Sequence, residues 1–325
     1  EGEAAVSKES AVFQLSQAKR FYIADCMEKY ITIKKSASFI LRTIVENIGP
    51  RWMARLFRTR HLYEFDLSGN RLPIPDNIPP SMHTQVEVVR IGKPALDNLL
   101  KVGKKHNVKL TIFLAYIIAK ILKKNIVESD PKRYKATENY DLDYAIPVDN
   151  RSFIDMKKVH KRDPDFVKGV GNFASTVSLK TPSAAISLEP SKIDWPLVRA
   201  MQKKLSTMLA DKENLTLMSV LSFVSVKDYI KSLSDDRNNA FNGNYLETSN
   251  LGYFSFNDKV PENGFHLNDI TFSQSVCVTG ALIDANVIGF QNGLRIALCW
   301  DTNLPFANNV QGIAQLVKSA LENVN

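Results

Sequence analysis

Apolar residues recur with two distinct periods along this chain, and the alternation between them predicts its elements. Residues 11 to 33 carry Phe13, Leu15, Ala18, Tyr22, Cys26 and Tyr30 on one helical stripe. A second stripe runs from Phe39 through Ile40, Ile44, Ile48, Trp52 and Leu56, and Pro50 divides it into two short helices or one kinked helix. Four prolines (Pro73, Pro75, Pro79 and Pro80) then mark an extended linker. Beyond it the period changes. Thr84 to Ile91 alternates as a strand, Pro94 opens a helix to His106, and Leu110 to Ile126 is apolar enough to be a buried helix. Strands are predicted over Tyr140–Val148 and Phe173–Leu179, and helices over Trp195–Lys212 and Leu217–Leu233. The last third reads as strands at Tyr245–Asn250, Ile270–Val278, Gly280–Ala285 and Leu294–Trp300, closed by one helix from Asn308 to Glu322. The order is α/β: a mixed β-sheet with helices covering one face. Residues 1–80 form a helical segment and linker, and 81–325 the main domain.

Composition changes this picture little. With 44% apolar and 23% charged residues among 325, the chain has the balance of a folded soluble protein. It contains no run of 18 or more apolar residues, so no spanning helix is expected. The chain opens on Glu1 without a methionine or an apolar signal core, which predicts processing or a start partway along a longer protein. A net charge of +8 raises the question of nucleic acid. The lysines and arginines are dispersed, however, and no zinc-finger spacing, phosphate loop or aromatic RNA-binding motif accompanies them. A basic soluble surface is the simpler account, and acidic small molecules or anionic headgroups are the partners it suits. Arg51, Arg55, Arg58 and Arg60 beside Trp52 and Phe57 make the 39–57 stretch a candidate for peripheral membrane contact, or else a face packed on the protein body. Cys26, Cys277 and Cys299 are odd in number and far apart, which fits free thiols in a reducing compartment. Asn150-Arg151-Ser152 and Asn214-Leu215-Thr216 match a glycosylation sequon that is common by chance.

Candidate chemistry is sparse. A general base needs a partner that orients its imidazole. His160 has Asp163 and His266 has Asp269 three residues on, both in polar, loop-like sequence. His83 has Glu87 four residues on, roughly 13 Å along an extended strand and too far for a direct hydrogen bond. Neither a nucleophile elbow nor a metal-ligand cluster is present in the sequence. Three other segments stand out. Ala145-Ile-Pro-Val-Asp-Asn-Arg-Ser-Phe153 leads a strand into a turn where Asp149 and Arg151 can lock the strand end by a charge-assisted hydrogen bond. In Gly169-Val-Gly-Asn-Phe-Ala-Ser-Thr-Val177, Asn172 can tie a loop to a strand. In Leu246-Glu-Thr-Ser-Asn-Leu-Gly-Tyr-Phe254, Thr248 and Ser249 are hydroxyls at a strand end that can donate to an oxyanion. Each segment taken alone also reads as ordinary turn chemistry.

Taken in order, the three segments resemble the CoA-dependent acyltransferases of the chloramphenicol-acetyltransferase fold. Asp149-x-Arg151 followed by Gly171-Asn172-Phe173 is similar to the pattern of plant acyltransferases and peptide-synthetase condensation domains. Thr248-Ser249-Asn250-Leu251-Gly252 resembles the corresponding segment of dihydrolipoyl acyltransferase cores. Within the superfamily the likeness is strongest to fungal alcohol acetyltransferases and sphingoid-base N-acetyltransferases, and it spans about Thr84 to Leu321. The resemblance demands a histidine in an H-x-x-x-D motif. The residues four after the five histidines are Phe65, Glu87, Leu110, Pro164 and Ile270, and none is aspartate. His83 with Glu87 is the nearest approach. Leu294-Arg-Ile-Ala-Leu-Cys-Trp-Asp301 resembles the strand that precedes this histidine in single-lobe relatives, with Thr302, Phe306 and Ala307 in place of histidine, aspartate and glycine.

The resemblance therefore implies the C-terminal half of a two-lobed enzyme whose first lobe, ahead of Glu1, holds the base. It implies direct transfer of an acyl group, acetyl by default, from acyl-CoA to an alcohol or to an amino alcohol such as a sphingoid base. Ser249, or else Thr248, would hold the oxyanion. Asp149, Arg151, Asn172, Asn250 and Gly252 would be structural near the site. The co-substrate would be acetyl-CoA, with no metal and no nucleic acid, and the CoA-binding residues are not assigned. The setting implied is lipid metabolism in the cytoplasm, with peripheral contact at the endoplasmic reticulum or lipid droplets. The competing reading is a non-catalytic binding or scaffold protein built on a degenerate lobe.

Overall fold

The structure, a computed structural model, describes residues 30–31, 37, 41, 83–129, 131, 141–159, 172–189, 192–215, 225, 244–256, 264–277, 280–302, 304, 307–310 and 312–324. The expected helices at 11–33, 39–57 and 217–233 and the proline linker fall outside these residues, apart from the isolated positions just given. Six strands and five helices are described: β1 (Thr84–Gly92), α1 (Lys93–Lys105), α2 (Leu110–Ser129), β2 (Asp141–Asp149), β3 (Ala174–Pro182), α3 (Trp195–Ala210), β4 (Leu246–Phe254), β5 (Ile283–Phe290), β6 (Gly293–Asp301), α4 (Ala307–Val310) and α5 (Ile313–Glu322). The strands form one sheet in the order β1-β6-β5-β4-β2-β3. β6 runs antiparallel to β1 and β5, whereas β4 runs parallel to β5 and β2, so the sheet is mixed as expected. By their contacts the residues divide into two compact units, Glu1–Ile33 with Asp149–Ala174, and Lys34–Val148 with Ser175–Asn325.

The main core lies between the sheet and the helices. Alternation sends Val89 and Ile91 of β1, Leu294, Ile296, Leu298 and Trp300 of β6, and Ala285 and Val287 of β5 to the helix side, where they meet α1, α2 and α5 in one cluster. α2 is buried almost all round. Its two core lysines are satisfied rather than exposed: Lys123 Nζ donates to the carbonyls of Ser183 (2.6 Å) and Ile186 (2.9 Å), and Lys120 Nζ to that of Lys192. Desolvation lowers the pKa of both ammonium groups.

Three boundaries differ from the sequence expectation. Of the expected strand Ile270–Val278, the described residues 270–277 do not form a strand. Segment 264–277 is extended coil laid over the other face, where Val276 packs on Ala297 and Cys299. Its backbone bonds to side chains instead of to a strand: Gln291 and Asn292 donate to the carbonyls of Leu267 and Asn268, and Val276 N donates to Thr84 Oγ1. The helices thus do not account for all the burial, and every residue of β5 and β6 is covered on both faces. β5 begins later and ends later than the expected Gly280–Ala285, because the two-residue loop Gln291-Asn292 joins it directly to β6. Gly293 closes this hairpin at φ 131°, where a Cβ would lie 2.1 Å from the Ile91 carbonyl oxygen. The final helix is two, because Gly312 adopts φ 86° and starts α5 afresh. Glu87 caps it: its carboxylate accepts the backbone N–H groups of Gly312 (2.7 Å) and Ala314 (3.2 Å).

Candidate active site

The two motif regions are built by different means. At the end of β2, the Asp149 carboxylate accepts the Arg151 N–H (3.0 Å) and the Arg151 guanidinium (3.1 Å). The guanidinium also lies 4.7 Å from the centre of the Phe173 ring, and Asn150 N donates to the Phe173 carbonyl at 2.7 Å. Asn172 Oδ1 accepts the Ala174 N–H (3.2 Å) and turns the chain into β3. Asp149, Arg151 and Asn172 therefore come together as a brace around the β2 end and the β3 start, all within one compact unit.

β4 belongs to the other unit, and it splits the two hydroxyl candidates. Leu246, Thr248 and Asn250 face the helices. Thr248 is wholly buried there and its Oγ1 has no hydrogen-bond partner. Asn250 bridges to α2 by donating to Thr111 Oγ1 (3.0 Å), and its Oδ1 accepts the Gly252 N–H (2.9 Å). The register between β4 and β5 shifts between Asn250 and Tyr253, and Gly252 at φ 90° absorbs the extra residue as a bulge. After the bulge the strand emerges, with Leu251, Tyr253 and Phe254 exposed.

Ser249 faces the opposite way. Its Cα partner on β5 is Asn286, and Glu247 is partnered by Asp284. These four residues form two polar rows on the face away from the helices, continued on β6 by Ala297 and Cys299. Ser249, Asp284 and Asn286 are all buried. Asn286 donates to Cys299 Sγ (3.5 Å) while its Oδ1 has no partner, and Asp284 Oδ1 has none either. Burial, then the neighbouring Glu247 carboxylate, push the Asp284 carboxyl up to about 7 against the opposing pull of the Ala281 backbone N–H. Burial also raises the pKa of Glu247 and of the Cys299 thiol.

No histidine joins these rows among the described residues. His83 is exposed at the mouth of the β1–β6 pair, where its carbonyl accepts the Thr302 N–H (2.9 Å) and its N–H meets Asp301 Oδ1 (3.4 Å). Glu87 turns to α5 instead of to His83. Asp269 is held by Arg295 (2.6 Å) and Arg90 (3.5 Å) rather than by His266. His106 stacks on Trp195 with ring centres 3.7 Å apart. His61 and His160 lie outside the described residues, as does Phe306.

The sequence reading missed Glu247 and Asp284. Their signal was present: each is a single acidic residue inside a strand that is otherwise apolar or small at core positions. Among the described residues no group of three or more His, Cys, Asp or Glu side chains could hold a metal ion, and no helix is long and apolar enough to cross a membrane.

The model of a family described as alcohol acetyltransferase matches residues 66–305. No curated protein matches the chain in sequence. Among solved structures, the trichothecene 15-O-acetyltransferase of Fusarium sporotrichioides is similar with a TM-score of 0.58 and 9% identity, over 90% of this chain and 55% of that one. The epimerization domain from the third module of tyrocidine synthetase B is similar with a TM-score of 0.51 and 12% identity, over 89% of this chain and 55% of that one. The chain thus spans about half the length of these solved structures, and they share its α/β fold.

Proposed function

This chain belongs to the alcohol acetyltransferase family, and on that premise we propose that it forms one lobe of an acyl-CoA-dependent acyltransferase. A second lobe of the same protein supplies the H-x-x-x-D histidine. The acyl donor is acetyl-CoA and the acceptor an alcohol or amino alcohol. The histidine takes the proton of the acceptor hydroxyl or amine, and the freed lone pair attacks the thioester carbonyl. The tetrahedral oxyanion is held by the Ser249 hydroxyl. Collapse breaks the carbon–sulfur bond, and the thiolate leaves with the proton the histidine carried.

One observation carries this reading: Ser249 is the motif hydroxyl that faces away from the helix layer, while Thr248 is packed into it. Asp149, Arg151 and Asn172 act as braces, a role supported by the Asp149–Arg151 pair and by the Ala174 N–H that Asn172 accepts. Asn250 and Gly252 set the bulge in β4 just beyond Ser249.

The test is release of free thiol from acetyl-CoA by the full-length protein, dependent on an added alcohol or amino alcohol and abolished when the histidine of its H-x-x-x-D motif is changed to alanine. Acceptor-dependent release is expected. A full-length protein with neither such a motif nor such release would be a binding protein built on this fold.

A further inference from the structure

The Ala281 backbone N–H that Asp284 accepts does not explain why a second carboxyl, Glu247, faces it. Two carboxyl groups directly opposite each other on neighbouring strands, about 4.8 Å apart at Cα, repel when both are ionised. Neither makes an ion pair with a described residue, although arginines and lysines are placed elsewhere on this face: Arg295 on Asp269, and Lys180 on Asp143. Asp284 is 5% exposed and keeps Oδ1 without a hydrogen bond. Asn286, the next residue along the same face of β5, is 0% exposed and keeps its Oδ1 equally bare. Buried acceptors are almost always satisfied, and two adjacent exceptions beside a partly exposed glutamate call for a ligand that brings donors. The ligand must also bring positive charge, because a carboxyl pair in a low-dielectric surrounding attracts a cation far more strongly than a neutral donor. A protonated amine meets both demands, with three N–H donors on one charge.

We propose that Glu247, Asp284 and the Asn286 amide oxygen bind the ammonium group of the acyl acceptor, so that the acceptor is an amino alcohol rather than a simple alcohol. The proposal rests on the acyltransferase reading and narrows it. Ser249 lies two residues from Glu247 on the same strand face, about 6.6 Å along β4, so the ammonium sits a few bonds from the group that receives the acyl chain. Cys299, across from Asp284, closes the row as a neutral thiol raised in pKa by burial.

Binding is measured without turnover, on the full-length protein at pH 7.5 by calorimetry, using 2-aminodecan-1-ol and decane-1,2-diol as a matched pair. The wild type is expected to bind the amino alcohol at least about tenfold more tightly than the diol, the size of one charge-assisted contact. In Glu247→Gln and in Asp284→Asn, each checked for folding by circular dichroism, that preference falls to about threefold or less. Equal affinity for the two probes in the wild type, or a preference unchanged in both variants, overturns the proposal. So does magnesium or calcium ion displacing the amino alcohol, which would make the pair a cation site. Because no thiol is released in this experiment, its failure leaves the acyltransferase reading standing, and failure of that reading shows separately in the thiol assay.

Discussion

Single side chains on β4 and β5 face opposite demands depending on parity. Thr248 points into the helix layer with a hydroxyl that bonds to nothing, and such a buried orphan costs about 1–3 kcal/mol. Thr248→Val is therefore expected to leave stability unchanged or raise it by about 1 kcal/mol, read from urea midpoints. Asp284 has a pH signature. Its folded pKa of about 7 lies above its ordinary 3.8, so the folded protein holds a proton that the unfolded chain gives up in that window. Stability from this group is fully present below about pH 4 and is lost as pH rises through 7. Asp284→Asn removes the loss. Its thermal midpoint should exceed that of the wild type at pH 8, by at most about 4 kcal/mol in stability, and the gap should close towards pH 4. A gap that widens as pH falls would contradict the assignment. The motif residue of this face, Ser249, stood out in the sequence because the types and order of its neighbours are distinctive. The carboxyl pair did not. Its meaning comes from strand register, which sets Glu247 against Asp284 across a gap of 37 residues in the chain, and local periodicity carries no register between distant strands.

Elements were legible where one period ran unbroken. β1, α1, α2 and β6 fall within a few residues of expectation, because alternation or a helical stripe continues to a Gly, Pro or charged end. The failures lie where side chains replace the backbone as partners. The stretch Ile270–Val278 reads as a strand in the sequence, yet Gln291, Asn292 and Thr84 take up backbone groups of segment 264–277, so it covers the sheet without joining it. The last helix looks continuous, but Gly312 at φ 86° breaks it and Glu87 from β1 caps the new start. Glu87→Ala should therefore destabilise the protein by about 1–2 kcal/mol, the usual worth of a helix cap, measured by chemical denaturation. Gly293→Ala meets both a left-handed φ and a carbonyl oxygen at 2.1 Å, and it is expected to cost more than about 3 kcal/mol or to prevent folding, seen as loss of soluble protein.

At the scale of the molecule, a mixed sheet carries a helix layer on one face and a polar double row on the other, and the family assignment gives that row its context. Burying Ser249, Asp284 and Asn286 beside the partly exposed Glu247 weakens the fold and is the kind of local conflict that functional sites retain. The sequence alone pointed to the fold through three short ordered motifs, and to a base carried elsewhere through the absence of any H-x-x-x-D among its five histidines. In the described structure Glu87 and Asp269 are committed to a helix start and to arginines rather than to His83 or His266. The most direct test of the central claim is the acceptor-dependent release of thiol from acetyl-CoA by the full-length protein, compared between wild type and Ser249→Ala. The account predicts turnover by the wild type and a kcat at least about 100-fold lower in the variant, with the KM for acetyl-CoA little moved, as befits a donor that acts on the transition state. A variant with the wild-type kcat, or a wild type that releases no thiol, would contradict it.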